Sequence, residues 1–287
     1  MSARPAAPWV DRQFVRLGDG RLVHLRTAGA ADAARPAALP LLLAHAGPGS
    51  SAGLVPLIQD LARGRRVIAP DMAGNGDSDA LPMAQPQLAD HVDQLVELLD
   101  RLGVDQVDFC GQHSGAHIGC ELALRHPARV RRLVLDGLAL FEPELRTQML
   151  ARYAPPVQPD EHGGHLAWAW HFVGSLMLHF PHFLTDPAHR LTHSPVPPAA
   201  VRQALVLDLL KALPTYHLGY QAVLAHPTAD RLPLLRLPTL LLAADGDPLG
   251  RYLDAAAALL PGAPTLRVPR AGRAAAIERF LDAGTAA

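Results

Sequence analysis

Short apolar runs alternate with amphipathic stretches through the first half of the chain, and this alternation predicts strands and helices in turn. Leu39-Pro-Leu-Leu-Leu-Ala44 and Arg66-Val-Ile-Ala69 are apolar in succession, as strands covered on both faces are. Residues 51–62, between them, suit a helix. Upstream, residues 13–17 and 22–27 predict a hairpin turned at Gly18-Asp19-Gly20. Leu88, Val92, Leu95, Leu99 and Leu102 recur every three to four positions, which predicts an amphipathic helix over 86–102 closed by Gly103. Gln106-Val-Asp-Phe-Cys110 reads as the next strand, followed by a helix over about 114–126 and a strand over 130–135. Near the other end, 239–243 and 265–268 read as strands, each followed by a helix.

Alternation of this kind is the signature of a mainly parallel sheet covered by helices, an α/β fold. Residues 140–230 break the rhythm. They are rich in proline, histidine and aromatics, including Trp168, Trp170, Phe172, Phe180 and Phe183, and they fall between two sheet strands. They are therefore expected to form an inserted helical lid, leaving 1–139 and 231–287 as the core. The Pro-rich segments 154–159 and 195–198 are expected to be loops or hinges.

Composition narrows the function classes. With 49% hydrophobic residues in 287, the chain can bury a substantial core. A formal net charge of −1 argues against a general nucleic-acid or anionic-membrane surface binder. The two cysteines, Cys110 and Cys120, form no CxxC pair and are expected to be packed, reduced thiols. No stretch is long and apolar enough for a signal peptide or membrane span, so a cytoplasmic protein is expected.

The chemistry concentrates in Phe109-Cys-Gly-Gln-His-Ser-Gly-Ala-His-Ile-Gly-Cys120. A predicted strand ends there, a turn follows with glycines flanking its tip, and a helix starts at once, which is the context of a nucleophile elbow. Three further stretches agree with it in order and spacing: His45-Ala-Gly-Pro-Gly-Ser50, Asp71-Met-Ala-Gly-Asn-Gly-Asp-Ser78, and Arg132-Leu-Val-Leu-Asp136 after Arg125-His-Pro-Ala-Arg-Val. Over nearly its whole length the sequence resembles the α/β-hydrolase superfamily. The resemblance implies a mostly parallel sheet flanked by helices, a lid, an oxyanion hole, and hydrolysis.

The departures from that pattern set the candidate site. Counting without gaps puts Gly111, His113 and Gly115 at the G-x-nucleophile-x-G positions, so histidine stands where serine, cysteine or aspartate is usual. Shifting the frame to make Ser114 the nucleophile spoils both glycine positions. Carried over on this frame, backbone N–H groups of Ser114 and Gly47 would form the oxyanion hole. Asp247, in Ala244-Asp-Gly-Asp-Pro248, best matches the family's acid, with Asp245 as fallback and Asp136 as a distant alternative. The family's histidine is replaced by Arg273, and no histidine follows it in the chain.

Arginine stays protonated and cannot accept a proton, so a standard serine-hydrolase mechanism would need a histidine from the lid. Asp247 and Arg273 are expected to form a charge-assisted pair that orients a charged group of a ligand. His113, kept neutral by the nearby guanidinium, is expected to act as general base, with covalent attack by the imidazole as the alternative. His117, one helical turn on, reads first as a hydrogen-bonded packing residue, and His45 as a residue fixing its loop. Trp168 and His171 are expected to face the substrate pocket from the lid.

The expected function is hydrolysis of an ester, lactone, amide or C–C bond in a small, largely apolar substrate. A degenerate small-molecule binding protein and a cofactor-free lyase or cyclase are the alternatives. Fifteen histidines invite a metal reading, but there is no HExxH, and His179-x-x-His182 lacks a partner carboxylate or cysteine pair. No metal and no cofactor are expected, and a homodimer through the hydrophobic lid is plausible.

Overall fold

The computed structural model describes residues 7–29, 38–191 and 198–283. Strands β1 (Asp11–Arg16) and β2 (Leu22–Ala28) form the antiparallel hairpin, with Gly20 at φ 92° in its turn. They lead into β3 (Leu41–Ala44), β4 (Val67–Pro70), β5 (Val107–Gln112), β6 (Val130–Asp136), β7 (Thr239–Ala244) and β8 (Thr265–Val268). The eight strands make one sheet in the order β1-β2-β4-β3-β5-β6-β7-β8. From β4 to β8 every neighbouring pair is parallel, and only β1 and β2 run against their neighbours.

Every residue of β3, β4 and β7 is buried, because helices cover both faces of the sheet. Helix α1 (Val55–Leu61), preceded by a 3-10 turn over Ser51–Leu54, and α10 (Arg273–Asp282) cover one face. There Ile58, Leu61, Ile277 and Leu281 pack on Leu41, Leu43, Val67 and Leu240. Helices α2 (Leu88–Arg101), α3 (Ser114–Arg125) and α9 (Leu253–Leu259) cover the other, where Leu95, Leu99, Ile118, Leu122 and Ala256 meet Leu42, Ile68, Phe109 and Leu133. Each buried leucine contributes about 1.5–3 kcal/mol by leaving water. One fully buried carboxylate, Asp108 on β5, holds the guanidiniums of Arg65 at 3.0 Å and Arg131 at 2.7 Å, and Arg65 also reaches Asp282 on α10 at 2.5 Å.

Between β6 and β7 the chain leaves the sheet and forms α4 (Pro143–Arg152), α5 (Gly164–Leu178), α6 (Ala199–Lys211), α7 (Tyr216–Ala225) and α8 (Thr228–Arg231). This insertion has an aromatic core of its own, in which Trp168 stacks on Phe172 and both lie against Tyr216. The Pro-rich segment 154–159 is loop, and 195–197 of the second lie outside the described residues. Among the described residues no helix is long and apolar enough to cross a membrane.

Candidate active site

His113 is the turn between β5 and α3. Its backbone stands at φ 50°, ψ −110°, the one positive φ of a non-glycine residue among those described. Such a conformation costs about 1–3 kcal/mol and persists only where its surroundings enforce it. Here β6 does so, with the Asp136 carbonyl accepting from the His113 N–H at 2.9 Å. The flanking glycines are required by contact. A Cβ on Gly111 would lie 2.1 Å from the Gly115 carbonyl oxygen, and one on Gly115 would lie 2.4 Å from that of Ala44. The strand–turn–helix reads as a sharp corner because no side chain fits inside it.

The corner delivers the His113 ring to Asp247. Nε2 lies 2.8 Å from the Asp247 Oδ2, and the carboxylate also accepts from the Leu249 N–H at 2.8 Å, capping the 3-10 turn Pro248–Tyr252. The Asp247 side chain is 5% exposed. Burial alone would raise its pKa, but the hydrogen bond and charge of His113, the Leu249 N–H and the more distant Arg273 hold it below the ordinary carboxylate value. An ionised carboxylate only accepts, so Nε2 carries a proton, and in the neutral ring the lone pair lies on Nδ1. Asp245 is exposed, its N–H tied to the Val268 carbonyl.

Arg273 does not pair with Asp247. Its Nε lies 3.0 Å from the Asp136 carboxylate, at the end of β6, in place of the expected contact. The reason is burial. Asp136 is fully enclosed, which pushes its pKa up to about 6, and the Arg273 guanidinium is the charge that counters the loss of water. Arg273 is not among the residues lining the cavity described below.

The oxyanion loop also differs from expectation in one contact. The Gly47 N–H donates to the Ser114 Oγ at 2.6 Å, so this donor is occupied by the side chain rather than left open. The Ser114 N–H heads α3, where no carbonyl of the helix itself can accept from it. On the other side of the loop, the Tyr220 hydroxyl of α7 donates to the Gly47 carbonyl at 2.7 Å. His45 is enclosed. Its Nδ1 donates to the Ala46 carbonyl and its Nε2 accepts from the Met72 N–H, both at 2.9 Å. Asp71 ties the neighbouring loop, accepting from the Ser51 and Asp77 N–H groups and from His24 Nδ1. His24, Asp71 and Asp77 gather within 4.8 Å of one another, with the Asp71 oxygens already engaged by these donors.

His113, Ser114, Gly47 and His117 form one side of a cavity of about 300 Å³ whose other walls include Met149, Val173, Phe180 and Leu224. Trp168 and His171 are not among its lining residues. Trp168 is spent on the insertion's own core, and His171 faces solvent. Sequence reasoning missed three contributors. Gly137, at φ 70°, leaves room for the His113 ring, because a Cβ there would lie 2.6 Å from its Cδ2. Tyr153 and Tyr220, packed edge-on, line the cavity from the insertion. Nothing local in the sequence marks any of the three.

Sheet order, elbow and insertion together define a class. A profile of the family described as the alpha/beta hydrolase fold matches residues 40–280, and the chain belongs to this family. The chain is 39% identical over 142 residues to a 2-hydroxymuconate semialdehyde hydrolase of Pseudomonas sp. (strain CF600), covering 48% of this chain and 47% of that one. The chain thus spans about half the length of that curated relative. A protein of Azorhizobium caulinodans, named provisionally as a carbamate hydrolase, is 30% identical over 81% of this chain and 82% of its own length. Among solved structures, Epoxide Hydrolase A from Mycobacterium thermoresistibile superposes with a TM-score of 0.72 at 19% identity, covering 96% and 99% of the two chains. These relatives carry hydrolase names, and the structural likeness extends to the fold.

Proposed function

We propose that this protein is a cofactor-independent hydrolase of a small, largely apolar substrate, in which His113 is the general base. The observation that carries this is the His113–Asp247 hydrogen bond at the elbow, with the histidine ring on the wall of the cavity. In the usual arrangement the acid orients a histidine that serves an elbow nucleophile. Here the histidine stands at the elbow itself and the acid reaches it directly. Asp247 holds Nε2–H and stabilises the imidazolium that forms when Nδ1 takes a proton from water.

The oxyanion donors are the Ser114 N–H and the Ser114 hydroxyl. The hydroxyl accepts from the Gly47 N–H and so has its own proton to give, strengthened by that bond. Ser114 as nucleophile is not favoured, since no histidine lies within hydrogen-bond distance of its Oγ among the described residues. Arg273 supports the site from behind by neutralising Asp136. Residues 140–230 act as a lid, and the aliphatic and aromatic lining selects an apolar substrate. The hydrolase names of the relatives support this reaction class.

The test is turnover of activated esters, lactones and β-diketones by wild type and His113→Ala. Loss of general-base catalysis lowers kcat by about 10²–10⁴-fold, with circular dichroism unchanged. Full activity in His113→Ala would refute the reading.

A further inference from the structure

A chain of hydrogen bonds leaves the cavity at its second histidine. His117 lies one helical turn beyond His113 and lines the same cavity. Its Nδ1 is 2.7 Å from the Thr228 Oγ1, and among the described residues its Nε2 has no protein partner. The same hydroxyl lies 2.9 Å from Nδ1 of His226, whose Nε2 is 3.1 Å from Glu121 Oε2. Glu121 in turn accepts from Arg231 Nε and Nη2, each at 3.0 Å. A smaller cavity of about 90 Å³, lined by His117, Arg146, His226 and Thr228 among others, gives the outer histidine room for water.

A hydroxyl has one proton to give and two lone pairs. Set between two imidazole nitrogens, the Thr228 Oγ1 donates to one and accepts from the other. A proton leaving at one end is therefore replaced from the far end. His117 by itself is a poor place to keep a charge, since burial pulls its imidazolium pKa down to about 3. His226 is better placed. Burial lowers its pKa, Glu121 opposes that, and Arg231 and Arg146 act with burial. The charged and titratable groups facing the relay are thus Glu121, Arg231, Arg146 and Asp230 at the outer end, with His113 at the inner one.

We propose that His117 is a general acid that protonates the departing atom of the substrate and is recharged through Thr228 from His226. This rests on the reading of His113 as the base. In the charged state His226 is imidazolium beside the Glu121 carboxylate, its Nδ1–H donates to Thr228, Thr228 donates to His117 Nδ1, and His117 carries Nε2–H. When the bond to the leaving atom breaks, that atom takes the Nε2 proton. The Thr228 proton moves to His117 Nδ1 and the His226 Nδ1 proton moves to Thr228. One proton has left the chain and His226 is neutral; when water in the cavity returns a proton to His117 Nε2, the two transfers run in reverse and His226 is imidazolium again.

The test joins a spectroscopic and a kinetic arm in wild type and Thr228→Val. In nitrogen-15 NMR of the histidine rings, wild-type His117 should shift its N–H from Nδ1 to Nε2 as His226 takes up its proton, and Thr228→Val should abolish the linkage. In kinetics, Thr228→Val should lower kcat/KM for methyl butyrate by about 100-fold and for p-nitrophenyl butyrate by less than about 3-fold, because nitrophenolate leaves without a proton. Thr228→Ser, which keeps the hydroxyl, should restore methyl ester turnover. Equal losses on both esters, or a His117 tautomer that stays fixed while His226 titrates, would overturn the proposal. Wild type inert towards both esters counts against the His113 base, while the NMR arm still decides the relay.

Discussion

His113 is a strained residue whose ring is seated by a glycine. Gly137 sits at φ 70°, and its absent Cβ is the space the imidazole edge occupies. Gly137→Ala is expected to cost about 1–2 kcal/mol from the left-handed backbone. It should also displace the ring from Asp247, so that kcat falls by more than the loss in stability explains. Thermal melting and kcat measured on the same preparation check this, and unchanged kcat would show that the seat is not needed. At this scale the sequence was partly legible. Gly111, His113 and Gly115 declare the corner because their spacing is local. Gly137 and the Asp136–Arg273 pair do not, because their reasons lie in neighbours across β6, β7 and α10.

Among the elements, the insertion is fastened to the loops that carry the site. Helices α6 and α7 and the turn between them supply Asp208 to the Ser50 hydroxyl at 3.0 Å, Lys211 to Asp77 at 2.7 Å, Thr215 to the Gly74 carbonyl at 2.7 Å and Tyr220 to the Gly47 carbonyl. The Tyr220 bond is the one that touches the oxyanion loop. Tyr220→Phe removes it while keeping the ring, and should cost about 1 kcal/mol. The expected signature is faster amide hydrogen exchange over residues 46–50, with α10 unaffected. Equal exchange in the variant would mean that packing alone holds the loop. The strands and helices of the core were readable from apolar runs and three-to-four spacing. The partition of the insertion's aromatics between its own core and the cavity was not, since Trp168 and Phe180 look alike in sequence and differ only in what they pack against.

For the whole molecule, burial of neutral histidines makes stability depend on pH. His91 is enclosed with neither ring nitrogen partnered, and burial lowers its pKa to about 4. That of His117 falls to about 3, and burial also lowers those of His45, His182 and His226. In each case the unfolded chain binds a proton, near pH 6.5, before the folded one does. Stability is therefore complete above about pH 6.5 and declines as pH falls towards 4, by about 1.4 kcal/mol per pH unit for each of His91 and His117, with the other three adding in the same direction. Asp136 opposes this, because its pKa is raised to about 6 and the folded state gains a proton over the same range. One carboxyl is outweighed by several imidazoles. Urea unfolding at pH 7, 6 and 5 should show the decline, and His91→Leu should flatten its slope by about one proton; an unchanged slope would remove His91 from the account.

The sequence by itself determined the sheet-and-helix alternation, the sharp corner at His113, the absence of a histidine after β8, and the family. These rest on periodicity and on contacts between near neighbours, which the order of residues states directly. The tertiary structure alone decided which carboxylate lies against which partner. His113 and Asp247 are 134 positions apart, and the sequence reading paired Asp247 with Arg273 instead. The choice was made by Asp136, whose complete enclosure requires the Arg273 guanidinium and so leaves Asp247 to the elbow histidine. Burial has no value at a single position until the chain has folded around it.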